Sequence, residues 1–208
     1  MLLSSKHGFA FLCMPKCAST SIEIALRNYC TVRITGQPDL KHMDARTYHR
    51  YIGDMHKKLL PDVSIEVVCM MREPLEWLHS WYRYRTREEL KDPTHPNRNN
   101  YTGGLEFDEF LKAYMSRERP PFADVGSQRQ FLELENGSLG VDRIFRVDDM
   151  EGLKSYFREK LGEEIEIPNE NVSPSMPMEL GRFREWRIKR YLSKEYELYH
   201  SLPGGSGE

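Results

Sequence analysis

The sequence predicts an α/β fold, a three-layer α/β/α arrangement around a central, mostly parallel sheet. Three observations predict it. Two short runs, Gly8–Met14 (GFAFLCM) and Ser64–Met71 (SIEVVCMM), have the near-unbroken apolar character of strands buried on both faces. Apolar residues recur at helical spacing after each of them. Strands that alternate with helices in this way form right-handed βαβ crossovers, which place helices on both faces of the sheet.

The elements follow in order. Gly8–Met14 ends in a turn of small polar residues, Pro15–Ser21. Ile22, Ala25, Leu26 and Tyr29 then fall at i, i+3, i+4 and i+7, an amphipathic helix. Thr31–Thr35 alternates as a second strand, and Ala45, Tyr48, Ile52, Met55 and Leu59 mark the face of a further helix. Arg72-Glu73-Pro74 breaks the strand Ser64–Met71, with proline at a helix start. Leu75, Leu78, Trp81 and Tyr82 mark that helix's inner face. Lys91–Gly104, rich in Pro, Asn and Gly, is a long loop. Phe107, Phe110, Leu111 and Tyr114 restart a helix, and Asp124–Glu133 predicts another. Arg143–Val147 is a short strand, and Leu153, Tyr156, Phe157 and Leu161 fit a helix. A helical, aromatic segment covers Met178–Leu202, and the closing PGGSGE reads as disordered. At 208 residues one domain is the default, here 1–202 with a tail at 203–208.

Charge and composition exclude several classes. Lys and Arg total 30 against 32 Asp and Glu, a net charge of −2, which argues against a dedicated nucleic-acid binder. No apolar run approaches the roughly 18 residues of a membrane span, and the first residues read as neither signal peptide nor anchor. Cys13, Cys17, Cys30 and Cys69 are too few for a disulfide scaffold and lack the spacing of a zinc site, so no metal is expected. The expected compartment is reducing and cytoplasmic.

Two segments have the chemistry of phosphate sites. Pro15-Lys16-Cys17-Ala18-Ser19-Thr20-Ser21 joins a buried strand to a helix, so backbone N–H groups and the positive end of the helix dipole converge there. Lys16 adds a mobile charge, and Ser19, Thr20 and Ser21 add hydroxyl donors. The alternative is a turn capped by Ser or Thr with Lys16 solvated. The segment is not a Walker loop, since it has no glycine and its lysine stands at the front. Arg72, at the carboxyl end of the second apolar run, offers a planar fork at the same rim. Ser80 lies about two turns into the next helix, where it could give a hydroxyl to the same anion. The alternative there is an Arg72–Glu ion pair and an ordinary helix serine.

Together the two segments resemble the donor site of sulfotransferases. The turn at Lys16 looks like their 5′-phosphosulfate loop, and Arg72 with Ser80 in REPLEWLHSWY looks like their 3′-phosphate motif. Gly126–Leu132 with Arg143–Met150 resembles the middle of the carbohydrate-type, Golgi-like branch, and Asn171-Val172-Ser173 resembles its ending. The chain departs from the pattern at Cys17-Ala18, where glycine is common.

The resemblance implies a P-loop-like fold. It also implies transfer of a sulfuryl group from 3′-phosphoadenosine 5′-phosphosulfate (PAPS) to a hydroxyl acceptor, a carbohydrate or small molecule. The residues carried over to the donor are Lys16, Cys17, Ala18, Ser19, Thr20, Ser21, Arg72 and Ser80. Lys16 is placed to stabilise the leaving oxygen. His42 is the candidate base, placed by a loose match to the uronyl 2-O-sulfotransferases and suited by its pKa; Glu23 is the second candidate. His49 and His56 read as solvated. Arg83, Arg85, Arg87, Arg129 and the Lys91–Gly104 loop are the candidates for acceptor recognition. The competing readings are a P-loop-like small-molecule kinase, for which Asp148-Asp149 would hold Mg²⁺, and a non-catalytic nucleotide-binding module.

Overall fold

The computed structural model describes residues 1–168 and 178–204, so Asn171-Val172-Ser173 and the last four residues of the tail lie outside the described residues. The strands are β1 (Leu2–Ser4), β2 (Phe9–Leu12), β3 (Val32–Arg33), β4 (Glu66–Met71) and β5 (Arg143–Arg146). The helices are α1 (Ser19–Leu26), α2 (Pro38–Lys41), α3 (Ala45–Thr47), α4 (Asp54–Leu59), α5 (Pro74–Arg85), α6 (Phe107–Tyr114), α7 (Gln128–Leu132), α8 (Met150–Leu161), α9 (Arg182–Tyr191) and α10 (Ser193–Ser201). A π-helical turn, Tyr48–Gly53, joins α3 to α4. The chain forms two compact units: Met1–Arg72, Ser127–Asn171 and Leu198–Glu208 make the first, and Glu73–Gly126 with Val172–Glu197 make the second.

The first unit holds an α/β sheet of five strands in the order β3-β1-β2-β4-β5. β2, β4 and β5 pair in parallel, while β1 runs antiparallel to both β2 and β3. β3 therefore shares the direction of β2, and four of the five strands run the same way. The link between β1 and β2 is too short for a crossover and can only make a hairpin. Gly8 closes it at φ +66°, where a Cβ would stand 3.1 Å from the Ser64 carbonyl oxygen. The buried rings of Phe9 and Phe11 pack on Phe157 of α8 at 5.1 and 6.5 Å between centroids. Asp149 caps α8 by accepting from the Gly152 N–H, and Gly162 ends it at φ +78°.

Two expectations change here. The helical face drawn through Met55 and Leu59 is wrong, because those side chains are 45% and 71% exposed. The π turn inserts an extra residue into the spiral and shifts its phase. His56, read as solvated, faces inward instead and meets the Ser5 hydroxyl at 3.0 Å through Nε2. The helix expected over Asp124–Glu133 shrinks to α7, because Gly126 takes φ +71° and Ser127 is extended, capping α7 by accepting from the Gln130 N–H.

In the second unit, α5 and α6 share an aromatic cluster. Phe107, Phe110, Leu111 and Tyr114 are all buried, as their spacing predicts. Phe107 lies 5.3 Å from Tyr82 and 4.8 Å from His79 between ring centroids. Trp81, expected inside, is half-buried, and His79 takes the interior position. Arg85, read as a candidate for an acceptor groove, is buried and donates to the Pro121 carbonyl at 2.6 Å, while its own carbonyl accepts from the Thr102 N–H. It is a strut that ties the end of the Lys91–Gly104 loop to α5. Arg87 lies over the Tyr84 ring and reaches Glu89 at 3.5 Å.

Burial, with the Arg83 charge adding to it, pushes the His79 pKa down to about 4. The folded protein therefore holds this ring neutral, while the unfolded chain protonates it near pH 6.5. Its stability contribution is complete above that value and is lost as pH falls toward 4. We expect a loss of about 2 kcal/mol between pH 7 and pH 5, or about 4–8 °C in melting temperature. His79→Phe, which keeps a ring among rings, should flatten that slope. An unchanged slope in the variant would locate the acid sensitivity elsewhere.

Candidate active site at the carboxyl ends of β2 and β4

β2 and β4 are neighbours in parallel, with Leu12 opposite Cys69. The Pro15–Ala18 turn and Arg72 therefore leave the sheet at the same edge, where ligands of open α/β sheets bind. The turn has an unusual backbone. Lys16 and Ala18 both have positive φ, at 64° and 55°, and they are the non-glycine residues that do so among those described. Such conformations cost about 1–3 kcal/mol each and persist where the surroundings enforce them. Ala18 is the N-cap of α1 and has no side-chain oxygen with which to cap it, and the helix's first turn holds no acidic residue. The turn thus departs from the Ser/Thr-capped alternative. Replacing Ala18 by glycine should relieve the strain, offset in part by greater freedom of the unfolded chain, for a net gain of about 0.5–1 kcal/mol. A rise of about 1–4 °C in melting temperature checks this, and a fall would contradict it.

Gln128 connects the turn to Arg72. Its side chain is fully buried. Oε1 accepts from the Arg72 N–H at 2.9 Å, and Nε2 donates to the Arg72 carbonyl at 2.9 Å. The Cys17 thiol donates to the same Oε1 at 3.4 Å. One amide thereby sets the backbone of Arg72 and receives the inward-facing side chain of Cys17, which leaves only the main chain of Cys17 to meet a ligand. The Arg72 Nε is out of solvent and has no hydrogen-bond partner among the described residues.

His42 and Lys41 join the same edge from the end of α2. His42 Nδ1 stands 2.5 Å from the Cys13 carbonyl oxygen, immediately before the turn. A carbonyl only accepts, so Nδ1 carries the proton and Nε2 of the neutral ring is the acceptor. Burial pushes the His42 pKa down; the Cys13 bond opposes that shift, and the Lys41 ammonium adds to it. Lys41 reaches Thr20 Oγ1 at 3.4 Å and Glu23 Oε2 at 2.7 Å, the latter an ion pair not aligned as a hydrogen bond. Glu23, the second candidate base, is engaged by this cation.

The structure thus brings Lys16–Ser21, His42 and Arg72 to one edge of the first unit. Ser80 belongs to α5 of the second unit, where it is 4% exposed. Lys41 and Gln128 are the residues that reading the sequence missed. Lys41 sits beside His42, but nothing in LKHMDARTYHR marks its partner as Glu23 of another helix. Gln128 lies in a segment singled out by resemblance, and only its burial reveals a role. Arg129, a candidate for acceptor recognition, pairs with Glu133 one turn along α7.

Asp148 and Asp149 are engaged. Arg146 donates to both carboxylate oxygens of Asp148, at 2.9 and 2.6 Å, Tyr199 donates to it at 3.1 Å, and Asp149 caps α8. Among the described residues no cluster of three or more His, Cys, Asp or Glu is arranged to hold a metal ion, and no helix is long and apolar enough to cross a membrane. The chain matches no protein-family model, no curated protein and no solved structure.

Proposed function

We propose that the protein is a PAPS-dependent sulfotransferase with a P-loop-like, three-layer α/β/α fold. The observation that carries this reading is the placement, at the neighbouring ends of β2 and β4, of a strained turn bearing Lys16 and of Arg72, whose buried Nε has no hydrogen-bond partner among the described residues. A donor with two separate phosphate positions fits two such groups. In this reading the main chain of Lys16–Ser19 and the Thr20 and Ser21 hydroxyls hold the 5′ side, and Arg72 holds the 3′-phosphate. Lys16 stabilises negative charge on the departing oxygen. His42 Nε2 takes the proton of the acceptor hydroxyl, with Nδ1–H fixed on Cys13. The acceptor is a hydroxyl-bearing carbohydrate or small molecule, and the reaction needs no metal. The free thiols Cys13, Cys17, Cys30 and Cys69 accord with a cytoplasmic setting.

Thermal shift with 3′-phosphoadenosine 5′-phosphate (PAP) against ATP, ADP and AMP tests the donor. PAP at about a hundredfold over Kd should add about 2.7 kcal/mol, a rise of roughly 5–11 °C, and the other nucleotides much less. Stabilisation by ATP only in the presence of Mg²⁺ would replace this reading with the kinase one. PAP binding without sulfuryl transfer to any of a panel of acceptors would leave a nucleotide-binding module.

The base is tested by pH. Only neutral imidazole accepts a proton, so the rate should fall as pH drops through the lowered His42 pKa, on the acid side of 6.5. His42→Ala should lose that limb and most of the rate, about 10²–10⁴-fold, while PAP binding is kept. A variant with the wild-type rate and pH profile would remove His42 from the chemistry.

A further inference from the structure

Helix α9 (RFREWRIKRY) carries five cationic side chains against one carboxylate, in a chain whose net charge is −2. Two of the five are compensated: Lys189 by Glu185 at 2.7 Å and Arg184 by Asp108 at 2.8 Å. Arg182, Arg187 and Arg190 have no ion pair among the described residues. At about 100° per residue these three share one side of the helix with Phe183 and Trp186, away from the buried Ile188. Phe183 is 70% and Trp186 55% exposed. The two rings stack with centroids 6.1 Å apart, and the Arg190 guanidinium lies 5.5 Å from the Trp186 ring. Phe183 precedes the indole by one turn and Arg190 follows it by one, so the three form a ladder along the helix.

We propose that this face of α9 docks on an anionic phospholipid surface. Exposed aromatic side chains beside guanidiniums have the composition of a helix lying at the headgroup level, rings toward the acyl boundary and cations on the lipid charges. The ladder flanks the indole on both sides along the helix. A stacked base or sugar ring would need those faces, so a nucleic acid or a glycan fits less well. A cavity of about 230 Å³ adjoins the face within the same unit. Leu111, Met115 and Phe183 give it apolar walls, and Arg187 and the Asp108-paired Lys112 and Arg184 give it a charged rim. That is the polarity of a phospholipid where its acyl chains meet its headgroup. The proposal is independent of the chemistry assigned to the first unit.

Co-sedimentation with vesicles of phosphatidylcholine, with and without phosphatidylserine, tests it. The full chain should partition onto the serine-containing vesicles only, and less as salt rises. Arg182→Gln, Arg187→Gln and Arg190→Gln should each weaken partitioning about fivefold. Trp186 is the exposed one of the three tryptophans, so vesicles should shift the emission of the wild type to the blue and leave that of Trp186→Phe unshifted. All the substituted side chains are exposed, and an unchanged melting temperature verifies folding. Absence of vesicle binding at low salt would overturn the proposal. So would equal partitioning onto uncharged vesicles, or binding of oligothymidylate or heparin that vesicles do not displace.

Discussion

Lys16→Ala is expected to lower turnover with PAPS by about 10²–10³ while changing PAP affinity less than about tenfold. The lysine is assigned to charge that develops only as the sulfuryl group leaves, so its loss falls on kcat. The backbone makes the experiment clean. Residue 16 sits at φ +64°, a conformation that strains alanine as it strains lysine, so the substitution neither adds nor relieves strain. Melting should stay within about 0.5 kcal/mol of wild type. PAP release from PAPS in the presence of acceptor measures the rate, and equilibrium binding of PAP measures the affinity. Equal losses in both would reduce Lys16 to a binding charge, and a normal rate would end its assignment.

Gln128→Met should have the largest effect on stability and also weaken PAP. Methionine has about the volume of glutamine and none of its hydrogen bonds. It would orphan the Arg72 N–H and carbonyl and leave the Cys17 thiol without its acceptor. Unpartnered buried backbone groups cost about 1–3 kcal/mol each, so a loss of about 3 kcal/mol, or about 6–12 °C in melting temperature, is expected. PAP affinity should fall as well, because the position of Arg72 depends on that amide. Gln128→Glu separates the two bonds: a carboxylate still accepts from the Arg72 N–H but opposes the Arg72 carbonyl, and protonation restores a donor. Its melting temperature should therefore approach that of wild type as pH falls. Near-wild-type melting and PAP binding for Gln128→Met would show that the amide positions nothing.

Periodicity and composition by themselves determined much of this protein. The apolar runs around Phe9–Leu12 and Glu66–Met71, the faces of α6 and α8, and the strand at Arg143 were legible because burial is written locally, in residues one turn or one pleat apart. So was the placement of Lys16 and Arg72 after two strands, which fixed their common edge once those strands were parallel neighbours. The tertiary structure decided what depends on partners far along the chain. β1 enters the sheet reversed because its short link to β2 permits only a hairpin. His56 turns inward because a π turn shifts the phase of a helix whose spacing reads as regular, and Arg85 is a strut because Pro121 lies across from it. Ala18 does the work of a glycine only because the fold holds it at φ +55°. Lys41 meets Glu23 and Gln128 meets Arg72 across eighteen and fifty-six residues of sequence, and no pattern within a helix or strand encodes such a pairing. Local spacing therefore told which residues reach the site's edge, and long-range hydrogen bonding and burial told which of them hold the others in place.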